Sequence, residues 1–160
     1  MAALAVVAMV SAAGAAEDDE ASAAMPVISD IMPCDRLAYS ILVTVKNVKS
    51  AKGTVTVDLH GDDPDKWLAK GAKLARIREP AVTGETKVCI PVDRPGVYAL
   101  ALYHDKDANK KLNKTWIGLP SEPFGVSNDA AIRLGPPKHA DAAFEVKGPA
   151  TPVTVNLRGD

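Results

Sequence analysis

The 160-residue chain is poor in the features that usually announce a function. It has no excess of either charge, with 19 Lys and Arg against 20 Asp and Glu. Nothing in that balance drives condensation onto phosphate backbones or anionic lipid, so nucleic acid is not an expected partner. Cysteine is limited to Cys34 and Cys89. Neither lies in a C-x-x-C or near a His at ligand spacing, and His60 and His139 also lack such neighbours, which excludes the familiar zinc patterns. No nucleophile elbow frames Ser121 or Ser127. No apolar run reaches the roughly 20 residues that a membrane-spanning helix needs.

What is present describes an exported globular domain. Hydrophobic residues make up 47% and charged residues 24%, the balance of an ordinary soluble fold, and the length suits one domain with its own core. Residues 1–16, MAALAVVAMVSAAGAA, form a short apolar run that stops at Glu17-Asp18-Asp19-Glu20. Small residues at Ala13 and Ala15, or at Gly14 and Ala16, satisfy signal peptidase, so a signal peptide ending near Ala15 or Ala16 is expected. That places the mature protein in the periplasm or outside the cell. Residues 17–33 carry no sustained period and are expected to be a flexible lead-in to a domain over 34–160. In an oxidising compartment Cys34 and Cys89 are expected to pair, closing a loop of about 55 residues and contributing up to about 4 kcal/mol.

From Leu37 the apolar residues fall at every second position: Leu37, Tyr39, Ile41, Val43, Val45, then Val55, Val57, Leu59 after a turn-rich Asn47 to Gly53. This period lines one face of a strand, and the two runs are expected to form a hairpin. Asp65 to Gly71 suits one helical turn that plugs an end of the core, and Lys73 to Glu79 a short edge strand stopped by Pro80. Val88, Ile90 and Val92 alternate again. Val97 to Tyr103 is apolar on both faces, as in a central strand. His104 to Ala130 holds too many Gly, Pro, Asn and Asp for regular structure and is expected to be one long loop. Strands over 143–146 and 153–157 complete an all-β, antiparallel sandwich of about seven strands. Cys89 is out of phase with Val88 and Ile90, so its sulfur should face outward and the disulfide should strap the lead-in across the outside or edge of a sheet.

The segments Pro95-Gly96-Val97-Tyr98-Ala99, Tyr103-His104-Asp105, Gly118-Leu119-Pro120-Ser121-Glu122, Phe124-Gly125 and Gly135-Pro136-Pro137 resemble the bacterial family catalogued as domain of unknown function 2141. The resemblance runs from about Leu37 to Leu157. It implies an exported prealbumin- or transthyretin-like sandwich without an established activity. The family loop after His-Asp is similar to Asp-Glu-Asn-Gly-Asn-Gly-Lys-Leu-Asp, a calcium-loop pattern. Its positions correspond here to Asp105, Asp107, Asn109 and Asn113, with Ala108 and Lys110 where the family has glycine.

Three functions compete. Asp105, Asp107 and Asn109 have the spacing at which oxygen ligands converge on calcium, although an EF-hand would also need Gly at the sixth position and Glu at the twelfth, where Lys110 and Trp116 stand. A second acidic loop, Asp62, Asp63 and Asp65, is expected at the opposite pole if consecutive strands alternate in direction. A hydrolase would have to use His104 with Ser121, Ser127, Glu122 or Asp105; the simpler role for His104 is a hydrogen-bonded loop cap. Glu122 and Asn128 are expected to satisfy loop backbone groups. Trp116, Leu119 and Phe124 either pin the loop to the core or line a groove for a peptide, sugar or envelope protein. The leading expectation is a non-catalytic binding or interaction module of the cell envelope. Its recognition surface is the stretch containing His104, Trp116, Glu122, Phe124 and Asn128.

Overall fold

Alternation sets the two inner faces of the fold. Strand β1 (Ser40–Val48) buries Ile41, Val43 and Val45, and β2 (Thr54–His60) buries Val55, Val57 and Leu59. They are followed by β3 (Ala75–Pro80), β4 (Gly84–Pro91), β5 (Gly96–Asp105), β6 (Phe124–Val126), β7 (Phe144–Val146) and β8 (Thr151–Asn156). The computed structural model describes residues 33–133 and 135–159; the expected signal peptide and all of the lead-in before Pro33 lie outside the described residues.

Among the described residues these eight strands form two sheets. One has the order β4-β1-β8, with β1 antiparallel to β4 and parallel to β8. The other has the order β3-β2-β5, and the remaining side of β5 is shared by β7 at Gly96–Tyr98 and β6 at Ala101–Tyr103. Ile41, Val43, Val88, Ile90 and Val155 from the first sheet meet Val55, Val57, Tyr98, Leu100 and Val146 from the second in one core. This is the expected all-β sandwich.

The arrangement departs from expectation in four places. The sandwich is not wholly antiparallel, because β1 and β8 run parallel, and alternation marks a strand's buried face but not its direction. β1 and β2 are not a hairpin: they lie in opposite sheets, joined across the gap by 49–53, and β2 pairs with β3 instead. Period 2 marks which face is buried, and two strands facing each other across a core carry the same mark as two side by side. The 104–130 stretch is not wholly irregular, because Phe124-Gly125-Val126 adds to β5. A Cβ on Gly125 would come within 2.7 Å of Val155 Cγ1, so glycine allows this short strand to lie against β8. Finally, the turn after β2 does not plug the main core. A 3-10 turn, Pro64–Lys66, capped by the Asp63 carboxylate, carries Trp67 onto the outer face of β5. There Ala99, Val126, Ala130 and Ala142 form a second, smaller cluster under the one-turn helix α1 (His139–Ala142).

Cys34 and Cys89 are joined, with Cα atoms 5.7 Å apart. Cys89 sits half-buried on the edge strand β4 between the buried Val88 and Ile90, and Cys34 lies in a 3-10 turn just before β1. The link is therefore external, as its phase in the sequence indicates.

Trp67 lies between two histidines. Its ring centroid is 5.0 Å from that of His60 and 5.9 Å from that of His139, and its Nε1 donates to Pro137 O at 2.9 Å. Burial holds the His60 pKa below the ordinary imidazole value, reinforced by Lys73 and His139 and opposed by Asp58. The unfolded chain therefore takes up this proton at a higher pH than the folded one. Stability is full above the unfolded value of about 6.5 and declines as the pH falls below it. Denaturation free energies between about pH 7.5 and 5.5 are expected to show this decline. In His60→Gln the slope is expected to flatten.

Candidate functional site

Three connections meet at the pole where β5 ends. The register Thr54↔Asp105 and Thr54↔Pro80 brings together 49–53, 81–83 and the long excursion that follows Asp105. Gly53, at φ 68°, lies so close to the Asp105 carbonyl that a Cβ would overlap it at 1.9 Å. Only glycine fits both the left-handed backbone and the contact. His104 is fully buried, and its Nε2 donates to Lys52 O at 2.7 Å. A carbonyl oxygen only accepts, so Nε2 carries the proton. His104 thus fastens the β1–β2 connection to the end of β5.

Carboxylates organise the excursion. Asp105, fully buried, accepts Asn109 N–H at 3.1 Å and Lys110 N–H at 2.7 Å. Asp107 accepts Asn109 N–H at 3.2 Å and the side-chain amides of Asn109 and Asn113, both at 3.0 Å. The Asn113 amide is the main reason that the Asp107 carboxyl titrates below the usual range. Glu122, also buried, arrives from the far end of the loop: Oε1 accepts Lys106 N–H at 3.0 Å and Oε2 accepts Asn113 N–H at 2.9 Å. One side chain thereby holds both ends of 106–113. Oxygens of Asp105, Asp107 and Glu122 all lie within 4.8 Å of one another.

Beyond this frame the chain forms a narrow hairpin. Ser121 N–H bonds Asn113 O, Lys114 bridges Pro120, and Thr115 N–H bonds Leu119 O at 2.7 Å. Gly118 N–H returns to Thr115 O, and Leu119 N–H to Thr115 Oγ1. At the tip Trp116 is 97% exposed, Ile117 58% and Leu119 59%.

These positions settle what the predicted residues do locally. Trp116 and Leu119 are not core pins, since a hairpin closed by its own hydrogen bonds holds them out. Phe124 is half-buried in β6, opposite Tyr103. Asn128 lies apart from the tip: its amide donates to Asp141 O and Ala143 O, tying β6 to α1. Ser127 Oγ accepts Leu100 N–H and donates to Ala142 O, and Ser121 is exposed, so neither serine meets the imidazole that serves Lys52. The Asp62, Asp63 and Asp65 loop follows the other end of β2, at the opposite pole. Sequence reading missed Glu122 as a third member of the carboxylate cluster and Ile117 as part of an exposed tip. The signal for the latter was a Thr-x-x-Gly turn around consecutive apolar residues.

A family profile described as "Uncharacterized protein conserved in bacteria (DUF2141)" matches residues 43–154. The chain belongs to this family. No curated protein and no solved structure matches it. The DUF2141 match spans part or all of every strand and the whole carboxylate-framed loop. Within that loop Ala108 and Lys110 have φ 55° and 65°. The backbone takes the left-handed conformation that glycine adopts without strain, and a side chain there costs about 1–2 kcal/mol.

Two substitutions test this frame. Ala108→Gly is expected to raise the denaturation free energy by about 0.5–1 kcal/mol, the relief of strain less the added freedom of the unfolded chain. Glu122→Ala is expected to lower it by about 3 kcal/mol, because two backbone N–H groups lose a charged acceptor.

Proposed function

We propose that this DUF2141 domain is an exported, non-catalytic binding module of the bacterial cell envelope, and that its contact element is the hairpin tip Trp116–Leu119. One observation carries the reading: a tryptophan 97% exposed on a turn whose own hydrogen bonds hold it in place. Tryptophan is the side chain most enriched at the centre of interfaces, and a contact group that is already ordered loses little entropy on binding. Export is supported by the apolar run at 1–16 and by a disulfide suited to an oxidising compartment. Among the described residues no helix is long and apolar enough to cross a membrane.

The convergence of Asp105, Asp107 and Glu122 supports a second reading, a domain stiffened by calcium. Three carboxylates with the Asn109 and Asn113 amide oxygens supply the hard ligands that the ion takes. Against it, both oxygens of Asp105 and of Glu122 already accept backbone N–H groups, and Lys110 and Lys111 adjoin the cluster.

For the leading reading, wild-type protein is expected to sediment with washed envelope. Trp116→Ser with Leu119→Ser is expected to leave it in the supernatant, with stability within about 0.5 kcal/mol of wild type. Equal retention of the two proteins rejects the contact element. For the second, calcium at about 1–5 mM is expected to raise the melting temperature of wild type but not of Asp105→Ala with Asp107→Ala. An unchanged wild-type melting temperature rejects it.

A further inference from the structure

The balance of 19 basic and 20 acidic residues conceals a local imbalance around the hairpin. Lys106, Lys110, Lys111 and Lys114 all belong to the loop that carries the tip, and none has an ion-pair partner among the described residues. Against these four lysines stand three carboxylates, all turned to the loop's own amides: Asp105 and Glu122 are buried on backbone N–H groups, and Asp107 is held by Asn109 and Asn113. Lys114 bridges Pro120, immediately below the Thr115–Leu119 pair that closes the apex. The hairpin therefore presents three consecutive kinds of chemistry from tip to base: exposed apolar side chains, a closed turn, and unpaired ammonium groups.

We propose that this pole docks on an anionic phospholipid surface, with Trp116, Ile117 and Leu119 entering the headgroup boundary and the lysines meeting lipid phosphates. The inference rests on the tip being the contact element and names its occupant. Tryptophan favours the membrane–water boundary because its ring is apolar and its N–H polar. Lysines near the surface add attraction to anionic lipid that salt weakens. The turn is suited to that boundary because the N–H groups of Thr115, Gly118 and Leu119 already have partners and enter without losing water-borne hydrogen bonds.

The two tryptophans stand at opposite poles, so each reports its own surroundings. Full-length protein is mixed with vesicles of phosphatidylcholine containing phosphatidylglycerol, with brominated acyl chains as the quencher, and with vesicles of phosphatidylcholine alone. Quenching is expected on the anionic vesicles and is lost in Trp116→Phe, where Trp67 alone emits. Vesicle affinity is expected to fall about thirtyfold in Lys110→Gln with Lys114→Gln, about fivefold for each charge removed. Equal binding to neutral vesicles, binding indifferent to the lysines, or an unquenched Trp116 overturns the proposal. An unquenched Trp116 on vesicles that still bind the protein assigns that binding to the apolar 1–16 segment, which every variant retains. Tip-dependent retention in the envelope without vesicle binding overturns the lipid surface alone and assigns the tip to a protein or sugar. Loss of both overturns the tip itself.

Discussion

The Glu122 carboxylate is the constraint on which the arrangement at this pole depends. It accepts one N–H from Lys106, where the chain leaves β5, and one from Asn113, where the hairpin begins. A buried carboxylate is costly unless its oxygens are satisfied, and a loop that leaves a sheet has backbone N–H groups needing acceptors. Each need is met by the other. Asp105 repeats the arrangement one step closer to the sheet, and the two together convert a polar, breaker-rich stretch into a fixed pedestal. The exposed tip is a consequence: with the base held at both ends, the remaining residues have room only for a closed hairpin.

The sandwich supplies the foundation of that pedestal. β5 is central, flanked by β2 on one side and by β7 and β6 on the other, so the loop is launched from a strand paired on both sides. Gly53 and His104 then fasten the β1–β2 connection against the last residues of β5. The disulfide works elsewhere, strapping the segment before β1 to the edge strand β4. Stability and contact chemistry are thus separated. The carboxylate frame and the core order the pole, while the side chains at its apex are free of structural duty.

The parts legible in the sequence were those set by local geometry. Alternation at Ile41, Val43 and Val45 identified the buried face, the phase of Cys89 placed its sulfur outside, and strand direction put the Asp62 and Asp105 loops at opposite ends. Strand partners were not legible, since the pattern that faces a core is the same for a neighbour and for a strand in the opposite sheet. β6 was hidden by Gly125 and the flanking Pro123, both breakers, although Gly125 is what lets the strand lie against β8. Glu122 was expected to satisfy backbone groups of the loop, and it does; that these are the N–H groups of Lys106 and Asn113 depends on a contact made across a whole loop, and no local period encodes that. Trp116 was weighed as a core pin because large apolar residues are usually buried; its exposure follows from the hairpin bonds of Thr115 and Leu119, which become evident only with the fold.

The claim that carboxylates, rather than apolar packing, order this loop can be measured at single amides. Hydrogen exchange resolved by residue is predicted to show Lys106, Asn109, Lys110 and Asn113 protected to an extent approaching the neighbouring amides of β5, although they lie in a polar surface loop. Exchange of these four amides at the rate of an unstructured peptide would contradict the account.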